Sequence, residues 1–228
     1  MRLIRHLLLS MARWIDGDAG QAELSGKDAD KVDWLRIMPF AGIHLACFAV
    51  LWVGWSAVAV WTAVGLYLVR CFALTGVYHR YFSHRTYRLN RFWQFVFAVL
   101  GNTAVQRGPL WWAAHHRHHH ANADTEEDLH SPVRRGFWWS HILWLTTPGS
   151  FPTRTERVQD WARYPELRFL NRFSLLVPLL LLAGLYAVGE LLAARVPQAG
   201  TDGAQMVVWG FVISTVVVYH ATFTINSL

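Results

Sequence analysis

Five histidines fill six consecutive positions in "HHRHHH", His115 to His120, and two more, His79 and His84, stand five apart in "VYHRYFSHRTYRLN". Imidazoles at this density ligate transition metals, provided that they point the same way. On an α-helix turning about 100° per residue, His119 lies about 60° behind His116 and His120 about 40° ahead, so H-x-x-H-H forms one three-ligand face. On the same wheel His118 falls about 160° away and His115 about 100° to the side, which leaves both off that face. His79 and His84 differ by about 140° on a regular helix, too far round to chelate one ion from it, though each could reach a different ion of a pair. Five imidazoles exceed what one tetrahedral zinc takes and fall short of two fully ligated irons. The count points to a dinuclear centre with further ligands to come. Imidazole suits iron and zinc alike. A Trp-walled, apolar setting favours oxidative work on a lipid chain, and the H-E-x-x-H pattern of zinc proteases does not occur.

The elements that must hold these histidines belong to a 228-residue chain that is 54% apolar, too hydrophobic for an ordinary soluble domain. Between Arg36 and Arg70 there is no Lys, Arg, Asp or Glu. At a rise of about 1.5 Å per residue, that stretch crosses a bilayer core of about 30 Å twice. Gly54-Trp55-Ser56 supplies the turn. "LLVPLLLLAGLYAVGELLAA" supplies a third span and the run from Ala204 to Ile225 a fourth. The expected fold is an all-α membrane protein: four transmembrane helices at about 37–53, 56–76, 173–194 and 204–225, with a cytoplasmic histidine-lined cap at 77–172 and interfacial helices. Residues 1–36 form an N-terminal arm and 37–228 one domain.

Six Lys or Arg precede the first span and thirteen arginines lie between Val77 and Arg172, against only Arg195 in the connection between the last two spans. That bias places the N-terminus and the cap, with nine of the twelve histidines, in the cytoplasm. It also accounts for the net charge of +6 without nucleic acid. The N-terminus lacks an h-region and cleavage site, so it reads as an amphipathic or disordered arm, and Asp16 to Asp33 as flexible linker. Arg70, near the end of the second span, is expected to snorkel. "FWQFVFAVLGNTAVQ" and "GFWWSHILWL" are too short or too polar to span and read as helices lying on the bilayer surface. Cys47 and Cys71 read as packing residues inside the spans.

With these pieces together, "HRYFSH", "HHRHHH", "DLHSPVRRGFWWSH" and "HATFTINSL" closely resemble membrane fatty-acid desaturases of the acyl-CoA delta-9 (stearoyl-CoA) type, over most of the chain. The resemblance implies a di-iron oxidoreductase of fatty-acid and lipid biosynthesis, using O2 and two external electrons to place a cis double bond in a long-chain saturated acyl-CoA. It implies His79, His84, His116, His119 and His120 as iron ligands, two Fe2+ as cofactor, and Asn226 approaching one iron through water. No haem motif or ferredoxin-like cysteine cluster is fused to the chain. Electrons are therefore expected from a separate ferredoxin-, rubredoxin- or cytochrome b5-like donor, at a bacterial inner membrane. The family's ligand set continues with a histidine after "NSL" and a third histidine box, so the chain is expected to be a truncated, inactive form of a longer protein. Before the second box this chain has "WWAAHH" where animal acyl-CoA desaturases carry Arg-Asp. That departure leaves an acyl-lipid as the alternative substrate, and a fatty-acyl hydroxylase is the rival on the same scaffold. A non-catalytic membrane zinc protein is a remote rival, because its histidines would line the spans.

Other residues carry weaker signals. Asp124, Asp128 and His130 are candidates for orienting ligand imidazoles. Arg134 and Arg135 are candidates for the substrate head group, with anionic lipid as the competing partner. Trp111, Trp112, Trp138 and Trp139 either line an acyl tunnel or anchor the protein at the interface. His141 and His220 read as packing or hydrogen-bonding groups.

Overall fold

The computed structural model describes residues 2–19 and 30–228, all helix, turn or loop with no strand among the described residues. Helix α1 (Arg2–Ile15) precedes the first span. Among the described residues four helices are long and apolar enough to cross a bilayer: α2 (Trp34–Val53), α3 (Ala57–Ser83), α7 (Leu176–Arg195) and α8 (Gly203–Ile225). Between α3 and α7 lie α4 (Arg91–Asn102), α5 (Pro109–Asn122) and α6 (Pro165–Arg172), with a long connection of short helices and turns, residues 123–164, between α5 and α6. The chain is an all-α membrane protein.

Local chemistry sets the ends of these helices. Asp33 caps α2 by accepting from Leu35 N at 3.1 Å, and Ser56 caps α3 by accepting from Ala59 N. Between them Gly54 takes a φ of +66°, which only glycine adopts without strain, so the turn falls where the sequence places it. α7 meets the start of α8 closely, because a Cβ on Gly189 would lie 2.4 Å from Asp202 O.

The second span departs from expectation in a way that matters. It does not stop at residue 76; the helix continues to Ser83 and is π-helical over Ala73–Ser83. His79 therefore rides on the end of a spanning helix. A core of Leu74, Tyr78, Phe82, Leu110, Leu167 and Val218 packs beneath the histidines, and Gly101 lets α4 press directly onto the Tyr78 ring. Tyr78 OH donates to Asn102 Oδ1, and Asn102 Nδ2 donates to Leu170 O, which ties α3, α4 and α6 together.

Arg70 does not snorkel. Its side chain is wholly buried between α3 and α8, where Nη1 donates to Ser214 Oγ and Thr215 Oγ1 at 2.8 Å each. Two hydroxyls on the facing helix offer the nearer solvation. The start of the expected linker is likewise not free chain: Asp16 accepts from Arg172 at 2.7 Å and Gly17 N donates to Arg172 O. Residues 20–29 of that linker lie outside the described residues. "GFWWSHILWL" forms no single helix but a short one, Phe137–His141, followed by a 3-10 turn, Leu143–Thr146.

Candidate metal centre

The π-helical stretch decides the first histidine pair. Its backbone bonds run from residue i to i+5, and His84 N donates to His79 O at 3.1 Å in this register. Residues five apart then come close, where a regular helix sets them about 140° apart. His79 Nε2 and His84 Nε2 stand 3.1 Å apart, so the expectation that they diverge fails on the backbone geometry. His84 Nε2 also lies 3.1 Å from His116 Nε2. His79, His84, His116 and His120 form one group whose donor atoms lie within 4.8 Å of one another.

The second box splits. His116 and His120 face the α3 pair, but His119 turns away and joins Asp128 and His130 in a second group. Asp128 Oδ2 is 3.0 Å from His119 Nδ1, which fixes the proton on Nδ1 and leaves Nε2 with its lone pair. His130 stacks on His119 with ring centroids 4.3 Å apart and is buried, with no hydrogen-bond partner at Nδ1. Asp124 serves the turn rather than a ring: its carboxylate accepts from Ser131 Oγ and its N–H donates to Asp128 Oδ2. His115 and His118 stand outside both groups. His115 Nδ1 is 2.9 Å from Trp111 O, and His118 Nε2 is 2.7 Å from Glu127 O. The side chain of Asn226 lies outside the described residues; its backbone is in the last turn of the helix that ends at Ser227.

The donor set fits a metal. An imidazole nitrogen carries either one proton or one lone pair, so His84 Nε2 cannot donate to both neighbours at once, whereas a cation at the point of convergence engages every lone pair. Burial pushes His116 down to about 2, helped by the rings of His120, His79, His84 and His119. His120 is lowered too, by burial and then by His84 and His119. Both are neutral at pH 7, the form that ligates. Burial lowers His130 to about 4, and His119 adds to it.

One acid that sequence reasoning missed holds the two boxes together. Asp160 accepts from Arg117 at 2.9 and 3.1 Å and from Arg85 Nε at 2.9 Å. Arg85 follows His84, and Arg117 sits between His116 and His118. Arg117 also donates to Phe82 O and Ser83 O, the carbonyls that end the π-helix, and Trp161 Nε1 donates to Phe82 O. The sequence signal is slight: Asp160 is one of three acids, with Glu156 and Glu166, in a segment rich in arginine.

A cavity of about 290 Å³ opens beside the histidines, with His79, His116 and His130 on its wall. Trp111, Trp112, Trp144 and Phe223 give it an apolar lining, and Gln106 Nε2, on the wall, donates to Thr222 Oγ1 at 2.8 Å. The four tryptophans singled out by sequence therefore divide. Trp111 and Trp112 line the cavity; Trp138 is exposed; Trp139 donates to Leu129 O and lies under Arg135. Arg134 and Arg135 do not line it, and pair with Glu126 and Asp30. Arg107 does. It is half-buried, and desolvation lowers it to about 9, with Arg36 adding to the shift and Asp18 opposing it, so it stays charged at neutral pH. His220 stands between His44 (2.9 Å) and His141 (3.0 Å), as a hydrogen-bonding residue of the bundle.

The described residues thus make a membrane protein of four apolar helices with a polyhistidine, metal-competent site beside an apolar cavity. Residues 53–227 match the model of the fatty acid desaturase family, and the chain belongs to that family. It is 35% identical to the palmitoyl-monogalactosyldiacylglycerol delta-7 desaturase of Arabidopsis thaliana, over 93% of this chain and 58% of that protein. It is 33% identical to an acyl-CoA 5-desaturase of Anemone leveillei, over 87% of this chain and 61% of that protein. An sn-1 stearoyl-lipid 9-desaturase of Anabaena variabilis is 31% identical, over 86% of this chain and 68% of that protein. The chain spans about three-fifths of the length of the first two.

Proposed function

We propose that this chain carries the acyl-binding and much of the metal-binding part of a desaturase that introduces a cis double bond into a long saturated acyl chain. The single observation that carries this reading is the apolar cavity ending on His79, His116 and His130. Two iron ions are the cofactor proposed. His79, His84, His116 and His120 would hold one and His119, with Asp128 or His130, would contribute to the other; Asn226 is a further ligand through water. Bound there, the pair supplies the oxidising power that breaks unactivated C–H bonds, with O2 as oxidant. The overall change is balanced: the chain gives up two hydrogens, O2 takes these with two electrons and two protons, and two waters leave.

The residues of the chain do the rest. Trp111, Trp112 and Trp144 exclude water and confine the acyl chain so that one pair of methylenes faces the histidines. Asp128 holds the proton of His119 on Nδ1, which keeps Nε2 available. Arg117 and Asp160 hold the two histidine boxes at fixed separation. The substrate proposed is a long-chain acyl-CoA oxidised at delta-9, with an acyl-lipid as the alternative, and the electrons come from a separate small carrier. The N-terminus and the histidines face the cytoplasm, the side marked by the arginines.

The test is iron content and product analysis on the protein with the C-terminal length of its relatives. About two irons per chain and an alkene from a saturated acyl chain, with reductant and O2, is the expected result. An alcohol product makes it a hydroxylase. Iron without any oxidised chain sinks the reading.

A further inference from the structure

The loop between α4 and α5 is built at a cost. Val105 and Arg107 take φ of +59° and +67°, the left-handed region that side chains avoid, on either side of Gln106. Each such residue costs on the order of 1 kcal/mol and persists only where its surroundings hold it. Here α8 holds the loop, with Tyr219 OH donating to Val105 O at 2.9 Å and Thr222 accepting from Gln106. All three loop residues line the cavity.

What the strained loop delivers to the cavity is a cation with no carboxylate among the residues of the wall, Asp18 acting on it only from beyond ion-pair distance. Arg107 makes one hydrogen bond, from Nη2 to Phe151 O at 2.9 Å, and among the described residues no acid lies within ion-pair distance of it. Its guanidinium lies over the Phe151 ring, 4.0 Å from the centroid. Arg36 packs on the same ring at 4.1 Å, with Nε on Asp33 and with Nη1 and Nη2 buried and unpartnered. Two guanidinium groups thus share one aromatic ring at the wall of an apolar cavity. A half-buried guanidinium facing an apolar cavity is poorly solvated there and favours an occupant that brings an opposite charge. The wall supplies none, so the occupant must. A neutral sugar head group offers only hydroxyls, while a phosphate offers the oxyanion geometry that guanidinium matches.

We propose that Arg107 is the specificity residue for the head-group end of the acyl ligand and that it pairs with a phosphate oxygen. Arg36 adds positive potential from across Phe151. This inference rests on the reading of the cavity as an acyl site. It names the substrate class as a phosphate-bearing acyl compound, either a phospholipid or a CoA thioester, in preference to a neutral glycolipid.

The experiment uses the full chain in detergent and three ligands with the same saturated chain: a phosphatidylglycerol, an acyl-CoA and a monogalactosyldiacylglycerol. Binding is read from tryptophan fluorescence, since Trp111 lies 5.3 Å from the Arg107 guanidinium. In Arg107→Gln, affinity for the phosphate source that uses the site falls about tenfold or more, a loss in the range of one charge-assisted bond, and the galactolipid is unaffected. Arg107→Lys keeps most of the affinity. The phosphate ligand that responds identifies the source. An equal loss for all three ligands means that Arg107 only props the loop, and no loss for any means that it faces nothing; either overturns the proposal. If wild type binds none of the three, the acyl reading of the cavity falls first. Binding of all three without preference for phosphate overturns this inference alone.

Discussion

Arg117 and Asp160 face each other with both terminal guanidinium nitrogens on both carboxylate oxygens, Nη1 to Oδ1 at 2.9 Å and Nη2 to Oδ2 at 3.1 Å. The same carboxylate takes Arg85, so one acid joins the residue after His84 to the residue after His116. Asp160→Asn keeps the shape and removes the charge. It is expected to lower stability by roughly 2 kcal/mol, the scale of a charged hydrogen bond, and to weaken metal affinity about tenfold or more. Thermal unfolding and metal titration in detergent check both. Unchanged metal affinity would mean that Asp160 braces the cap without setting the histidines.

Acid should act on the metal-free protein in two windows. His130 is held at about 4, below its ordinary 6.5, so the unfolded chain takes up the proton first and stability falls as pH drops from 6.5 towards 4. The loss is roughly 3 kcal/mol, because each tenfold difference in proton affinity between the two states is worth about 1.4 kcal/mol. Burial raises Asp160, but Arg117 and Arg85 outweigh it and hold the carboxyl below its ordinary 3.8. Its contribution is present above that value and is lost as pH falls through the depressed pKa. Denaturation followed against pH, with His130→Gln as comparison, should show the upper window shrink in the variant and the lower one persist.

The two histidine roles are separable by metal content. His84→Ala removes the atom that lies 3.1 Å from both His79 Nε2 and His116 Nε2, and metal binding should fall at least about tenfold. His118→Ala removes a hydrogen bond to Glu127 O, and should lower stability by about 1 kcal/mol while metal content holds. Equal metal loss in the two variants would show that the first group is not a metal site.

Thr222 lines the cavity opposite Gln106. Thr222→Phe fills that space, and long saturated chains should bind about tenfold more weakly, the scale of a lost buried contact, with metal content unchanged. If long chains bind as before, the ligand runs elsewhere.

The four spans were legible because hydropathy is a local property, and the turn at Gly54 because only glycine suits it. The density of histidines was legible for the same reason. Their sorting was not. A wheel of regular turns puts His119 beside His116 and His120, but Asp128, nine residues on and folded back by the turn at Asp124, draws it into another group. No periodicity announces that Ala73–Ser83 is π-helical, because the same apolar residues suit either helix. Arg70 was misplaced because snorkelling weighs only the arginine, and Ser214 and Thr215 lie on a helix far along the chain. Asp160 and Arg107 also meet partners remote in sequence, 43 and 75 residues away for Asp160 and 44 for Arg107. Arg134 and Arg135, which did stand out, are paired with Glu126 and Asp30.

The backbone bonds of a π-helix close over one residue more than those of an α-helix, so Ala73–Ser83 constrains the number of residues as well as their kind. Conservative exchange among its apolar positions leaves the histidine pair intact. Loss of one codon anywhere between Ala73 and Tyr78 would let the segment relax into an ordinary helix, still buried and still hydrophobic, with His79 and His84 swung apart. Natural variation in this stretch should therefore be permissive in spelling and intolerant of insertion or deletion, and a lineage that lost a residue here would keep a membrane protein and lose the convergence of His79 and His84.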